Sequence, residues 1–176
     1  MKSGKQITRR QMLRGLGVAV AAPMIVPSSV LGKEAPSNRI NLGMIGVGRQ
    51  GLKVNLRTLV HMREQKHGGV YITAVNDVDN WRMKNAKDAV DKVYQNKDCR
   101  MVEDWREVIA RDDIDAIMNS TADHWHVPIS LAAVRAGKHV SCEKPLTLSI
   151  AEGRVLADAA KKHGVVFRTD SECRSH

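Results

Sequence analysis

The sequence predicts an α/β protein built on a doubly wound parallel sheet, and three observations carry that expectation. Arg39-Ile40-Asn41-Leu42-Gly43-Met44-Ile45 reads as a short buried strand that runs directly into Gly46-Val47-Gly48-Arg49-Gln50-Gly51, with a helical pattern from Leu52 to Arg63 behind it. From Arg39 onward, β-rich runs and helical runs alternate, with no internal repeat and no low-complexity tract. The polar residues able to do chemistry fall just after the β-rich runs, where ligands of such sheets bind.

Residues 1–32 stand apart from this pattern. Lys2, Lys5, Arg9, Arg10 and Arg14 make a basic start with no acidic residue, and the apolar stretch Leu16 to Val26 is too short to span a bilayer as an ordinary helix. Pro27-Ser28-Ser29 breaks it, which completes the three-part plan of an export signal. Thr8-Arg9-Arg10-Gln11-Met12-Leu13-Arg14 resembles a twin-arginine motif, so the expected partner is the export machinery for folded proteins and the expected location is the periplasm. Cleavage before Lys33 would leave no stable membrane insertion; an uncleaved anchor or a basic amphipathic helix is the rival reading.

The charge balance changes once that segment is removed. The whole chain carries 28 Lys+Arg against 19 Asp+Glu, a net of +9; without the five basic residues of the leader it is 23 against 19, or +4. Such a surface gives no reason to expect nucleic-acid binding, and the aromatics that would stack bases are few. The remaining 144 residues suffice for one domain with a real core. Cys99, Cys142 and Cys173 form neither a metal pattern nor a disulfide framework. Cys142, at a strand end, is either reactive or a small core-filling residue.

The elements follow in order. Residues 33–38, with Pro36 and Ser37, read as a linker. Val70 to Val75 is the second strand. Asp79 caps a helix running to about Gln95, with Trp81, Ala86, Ala89, Val90 and Val93 on its buried side. Trp105 to Ala110 is a short helix and Ile114 to Met118 a buried strand. Pro128 suits the first turn of the next helix, which runs to Ala136 and stops at Gly137. His139 to Cys142 is a strand. Ser149-Ile150-Ala151-Glu152 is a capping box for a helix with Ala151, Val155, Leu156, Ala159 and Ala160 as its apolar face. Lys161, Lys162 and His163 suit its C-terminal end, Gly164 closes it, and Val165 to Phe167 forms a last strand.

In strand–G-x-G-x-x-G–helix, Gly46 permits the tight turn, Gly48 lets backbone approach a pyrophosphate, and Gly51 lets helix and strand pack closely; a purely structural glycine turn is the alternative. Asp77 ends the second strand. It can accept the ribose hydroxyls of an adenosine, favouring NAD, or initiate the following helix as a turn residue. Its distance from Gly51, 26 residues, exceeds the usual spacing of about 20 because of the polar insert at 64–69. Arg49 points towards NADP, since it can accommodate a 2′-phosphate. Thr121, His124 and His126 follow the fourth strand in a loop. They fit contacts to the ribose and nicotinamide side better than a metal site, for which no third ligand stands at a suitable spacing, so no metal is expected. Glu143-Lys144-Pro145 ends the fifth strand and places a lysine where it can steady a developing alkoxide or polarise a carbonyl, with a surface ion pair as its alternative.

Together these residues resemble the N-terminal half of the glucose–fructose oxidoreductase/inositol dehydrogenase/MocA (Gfo/Idh/MocA) family. Gly43 to Gly51 fits its cofactor loop, and Ala133-Val134-Arg135-Ala136-Gly137-Lys138-His139-Val140 leading into Glu143-Lys144-Pro145 is similar to its most recognisable signature. Asp123-His124-Trp125-His126 and Phe167-Arg168-Thr169-Asp170-Ser171 resemble its secreted, twin-arginine branch. The resemblance implies a Rossmann domain over residues 39–176, and cofactor contacts at Gly46, Gly48, Arg49, Gln50, Gly51, Asp77, Thr121, His124, His126, Glu143, Lys144 and Pro145. It also implies Lys144 near nicotinamide and substrate, a sugar or cyclitol as substrate, and a homo-oligomer at full length. Ala122 departs from the family, where proline often follows the threonine. The family continues into a second α/β domain that completes the catalytic set. A chain ending at His176 is therefore expected to be an N-terminal fragment of an NAD(P)-dependent oxidoreductase. The alternatives are a dinucleotide-binding protein without activity and an NAD-dependent glycoside hydrolase.

Overall fold

A computed structural model describes residues 39–64 and 69–171. The expected export signal, the linker and Cys173 lie outside them.

Alternation of strand and helix produces one six-stranded parallel sheet. Its strands are β1 (Ile40–Ile45), β2 (Val70–Asn76), β3 (Arg100–Met101), β4 (Ala116–Asn119), β5 (His139–Glu143) and β6 (Phe167–Asp170). Their order across the sheet is β3-β2-β1-β4-β5-β6. The chain thus winds outward one way from β1, returns, and winds the other way from β4, so that the connections leaving the paired strands β1 and β4 diverge and open a crevice at their ends. Register aligns the strand ends: Ile45 stands level with Asn76 and Asn119, and Asn119 with Cys142. The loops that follow therefore leave from one edge.

Strand periodicity of two divides the side chains between two cores. Leu42 and Met44 of β1 point to a cluster with Leu56, Ile72, Met83, Ala86 and Val90, under α1 (Arg57–Glu64) and α2 (Asn80–Tyr94). Ile45 points the other way, to Val108, Ile109, Ile117, Ile129, Val134, Val140 and Leu156, under α3 (Trp105–Ala110), α4 (Asp123–Arg135) and α5 (Ile150–His163). Each of these larger aliphatic chains gains about 1.5–3 kcal/mol on leaving water.

Caps form where the sequence places them. Asp79 Oδ1 accepts from the Trp81 and Arg82 amides, Asp104 Oδ1 from Arg106 N, and Ser149 Oγ from Glu152 N. The capping box closes one residue early, because Glu152 Oε2 accepts from Leu148 N at 3.3 Å. Gly164, at φ 65°, ends α5 in the left-handed conformation.

Several expectations need correction. The helix expected from Leu52 begins as a π-helical segment, Gly51–Leu56, before becoming α1. That segment buries Gly51, Asn55 and Leu56. Trp81 lies 69% exposed on the first turn of α2, and Met83 takes the inward place. Ala151 and Val155 are exposed on α5, which buries Leu156 and half-buries Ala159 and Ala160. The last strand is displaced to Phe167–Asp170, and the fourth begins at Ala116. Pro128 is the sixth residue of α4, not a first-turn residue, so it has no N–H to give the His124 carbonyl. The reason is that α4 starts at Asp123, and 123–126 is helix where a loop was expected.

Ala122 caps that helix with φ −73° and ψ 152°, a backbone that proline adopts unstrained. Ala122→Pro is therefore expected to stabilise the protein by about 0.5 kcal/mol by restricting the unfolded chain. A higher urea midpoint with unchanged slope would show it; a lower midpoint would mean that the ring strains the Thr121 backbone.

Candidate functional site: the crevice between β1 and β4

The glycine-rich turn is built by close approach. Gly46 leaves β1 at φ 83°, and its N–H donates to the Asn76 carbonyl at 2.9 Å. A Cβ on Gly51 would stand 2.2 Å from the Gly46 carbonyl oxygen, so the helix can start this close to the strand only with glycine there. Gly48 is different: leaving out its chain neighbours, the one described atom within 4 Å of a Cβ there is Arg82 Nη1, at 3.4 Å. Above Gly48 the backbone lies open, at the N-terminus of a helix.

Asp77 serves the turn directly. Its Oδ2 accepts from Val47 N at 2.9 Å and its Oδ1 from Asp79 N at 3.1 Å, so it shapes both the glycine turn and the start of α2. An ionised carboxylate has about four acceptor positions, which leaves capacity for two ribose hydroxyls. The two roles considered for Asp77 are compatible in one side chain. Asn76 holds the neighbouring edge, donating from Nδ2 to the Val102 and Glu103 carbonyls.

Across the crevice, Glu143 ends β5 as a buried carboxylate. Its Oε1 accepts from Gln50 Nε2 at 3.0 Å and Asn55 Nδ2 at 2.9 Å; its Oε2 accepts from the Lys144 amide at 3.2 Å. Asn55 Nδ2 also donates to Ser120 Oγ at 2.8 Å, which joins the first helix to the ends of both β4 and β5. Lys144 and Pro145 are exposed beyond this knot, with a cis peptide bond between them. Asn55→Leu is expected to cost on the order of 2 kcal/mol, because it removes a donor from a buried carboxylate and leaves Ser120 without that partner. Chemical denaturation of both proteins measures it; a cost below about 0.5 kcal/mol would show that water replaces the amide.

The α4 start completes the edge. Thr121 Oγ1 donates to Asn119 Oδ1 at 2.7 Å, and Asn119 Nδ2 reaches the His126 carbonyl and Ser130 Oγ. His124 is exposed, its ring 6.0 Å from that of Trp125, which in turn lies 6.3 Å from Trp105. His126 faces inward: Nδ1 lies 2.7 Å from the Pro145 carbonyl oxygen and Nε2 3.1 Å from that of Thr121. It therefore ties the loops after β4 and β5 together instead of presenting its ring to a ligand.

The strand-end positions expected from sequence thus gather at one edge, with Arg49 exposed and Gln50 turned to Glu143. Sequence reasoning missed Asn55, Asn76, Asn119 and Ser120. The available signal was an asparagine inside the apolar stripe Leu52, Leu56, Leu59. Cys142 is fully buried beside Glu143, and burial, reinforced by the Glu143 and Asp170 carboxylates, pushes its thiol up to about 11. Burial pushes Cys99 up to about 12. Of the two roles open to Cys142, core filling is the one the structure supports. No group of three or more His, Cys, Asp and Glu among the described residues could hold a metal ion.

An all-parallel sheet in this order, with an open glycine turn and an acidic residue at its switch point, is a dinucleotide-binding domain. Residues 40–171 match the Gfo/Idh/MocA family model, described as an oxidoreductase family with an NAD-binding Rossmann fold. The chain belongs to the Gfo/Idh/MocA oxidoreductase family. It is 30% identical over 164 residues to a glycosyl hydrolase family 109 protein of Shewanella sp. (strain ANA-3), covering 89% of this chain and 34% of that protein. Over 69 residues it is 42% identical to the 1,5-anhydro-D-fructose reductase of Ensifer adhaerens, covering 39% of this chain and 21% of the reductase. Among solved structures, myo-inositol 2-dehydrogenase from Lactobacillus plantarum superposes with a TM-score of 0.67 at 27% identity, over 78% of this chain and 38% of that one. The chain spans about a third of the length of the first of these relatives.

Proposed function

We propose that the protein carrying this chain is an exported NAD(P)-dependent oxidoreductase acting on a sugar or cyclitol. The observation that carries the reading is the convergence of the open Gly48 turn, Asp77 and Lys144 on one edge of the sheet. Asp77 holds the adenosine ribose, and the amides above Gly48 receive the diphosphate. Bound there, the cofactor supplies or accepts a hydride. Glu143 fixes the Lys144 backbone, and the Lys144 ammonium steadies negative charge on the substrate oxygen as it forms. Thr121, held by Asn119 and His126, and the exposed His124 line the nicotinamide side. Likeness to an inositol dehydrogenase and an anhydrofructose reductase supports a polyhydroxylated substrate.

The experiment is turnover against a panel of sugars and cyclitols with NAD or NADP, followed by NADH or NADPH absorbance. Net reduction of cofactor with one of them supports the reading. Binding of cofactor without any turnover would replace it with a binding-only protein. A second reading, an NAD-dependent glycoside hydrolase, rests on the likeness to family 109 proteins across 89% of the chain. It predicts release of free sugar from a glycoside with no net change in cofactor absorbance. Export rests on Arg9-Arg10 and the apolar run to Val26; finding the protein in the cytoplasmic fraction of its host would remove it.

A further inference from the structure

We infer that His126 is a positioning residue that works as an imidazolium. Protonated on both ring nitrogens, it clamps the loops after β4 and β5 together, and it releases one of them when it loses a proton. The protonation follows from hydrogen-bond geometry alone; its effect on cofactor affinity rests on the dinucleotide-binding reading of the crevice. His126 Nδ1 lies 2.7 Å from the Pro145 carbonyl oxygen and Nε2 3.1 Å from that of Thr121. A carbonyl oxygen only accepts, so each ring nitrogen that faces one needs a hydrogen of its own. Neutral imidazole carries one N–H and imidazolium two. A neutral ring would leave a nitrogen lone pair pointing at a carbonyl lone pair. His126 is 1% exposed, so bulk solvent does not separate the two.

The two carbonyls belong to the two loops that carry Thr121 and Lys144. Thr121 is also held through its hydroxyl by Asn119, and Pro145 directly follows Lys144, so one ring sets the spacing between the two loops. Burial and the place of His126 in the first turn of α4 work against a cation, whereas two charge-assisted bonds work for it. The ionisable groups at the same end of the segments packed against α4 are Asp123 and His124 on the helix itself, Glu143 and Lys144 after β5, Glu152 in the first turn of α5, and Asp104, Arg106 and Glu107 at the start of α3. The ring nitrogens bond to the backbone carbonyls rather than to any of these. On losing a proton to water, the ring gives up Thr121, because the 2.7 Å bond to Pro145 is the stronger. The loop that bears Thr121 is then free to move away from Lys144.

The chain with isotope-labelled histidine is followed by nitrogen NMR from about pH 5 to about pH 8, the range in which histidine changes charge. NAD affinity is measured by calorimetry over the same range; NAD keeps its own charge there, whereas the 2′-phosphate of NADP does not. Both His126 ring nitrogens are expected to carry hydrogen at the acid end and one of them to lose it as pH rises. NAD affinity should fall about fivefold with that loss, the worth of one hydrogen bond. In His126→Asn, whose amide still donates but does not titrate, the affinity should stay level with pH. His124→Gln should keep the slope, which separates the buried ring from the exposed one. One protonated nitrogen at every pH overturns the clamp, and two at every pH overturn the release. An equal slope in wild type and His126→Asn overturns the link to the cofactor. The wild-type spectrum decides the protonation even where His126→Asn fails to fold. A ring that titrates as expected in a chain that binds no NAD would remove the dinucleotide reading and leave the clamp standing.

Discussion

Replacing Gly51 by alanine is expected to abolish measurable dinucleotide binding and to destabilise the domain by about 3 kcal/mol. The new Cβ would stand 2.2 Å from the Gly46 carbonyl oxygen and 3.1 Å from its carbon, and both belong to backbone, which has no rotamer to escape by. Relief requires the helix start to move away from β1. Gln50 and Asn55 lie on that segment and both hold Glu143, so the shift would also loosen the β5 end. Stability and binding should therefore fall together. Calorimetric titration with NADH and a denaturation curve measure the two effects. A variant that keeps near-normal affinity would show that the helix can withdraw without disturbing the phosphate site.

Lys144→Met is expected to lower kcat about 100- to 1,000-fold in the active enzyme, the range for loss of one group that stabilises a developing oxyanion. Methionine keeps most of the length of the unbranched side chain and removes its charge. Affinity for NADH should change less than about threefold, because the turn itself is held through the Lys144 amide, His126 and Glu143, which the substitution leaves in place. Lys144→Arg should recover part of the rate, since it restores a cation with a different shape. Equal losses in kcat and in cofactor affinity would make Lys144 a cofactor-binding group instead. An unchanged kcat would leave it as a surface lysine.

The first of these expectations could be written from the motif alone, because Gly51 belongs to a local pattern with one physical meaning. The same is true of the parallel fold, of the Asp79 and Ser149 caps, and of the short helix Trp105–Ala110, whose limits the structure reproduces. Periodicity and capping are contacts between residues a few positions apart, and they leave their mark in the sequence. Legibility failed where one residue answers to several distant ones. His124 and His126 look alike in sequence, yet one is exposed and the other bridges two strand-end loops across 5 and 19 positions. Asn55 looks like a polar interruption until Ser120 and Glu143, 65 and 88 positions away, are brought to it.

By itself, then, the sequence determined that strand and helix alternate, that a glycine turn opens the first helix, and that acidic and basic groups follow strands. Local backbone sterics and hydrophobic periodicity suffice for that. The sheet order was decided only in three dimensions. It places the ends of β1, β4 and β5 side by side and gives the buried Glu143 the side-chain amides of Gln50 and Asn55 as donors. Hydrogen bonds of buried polar groups must be completed by whatever the packing brings within about 3 Å, and no local pattern encodes which residue that will be.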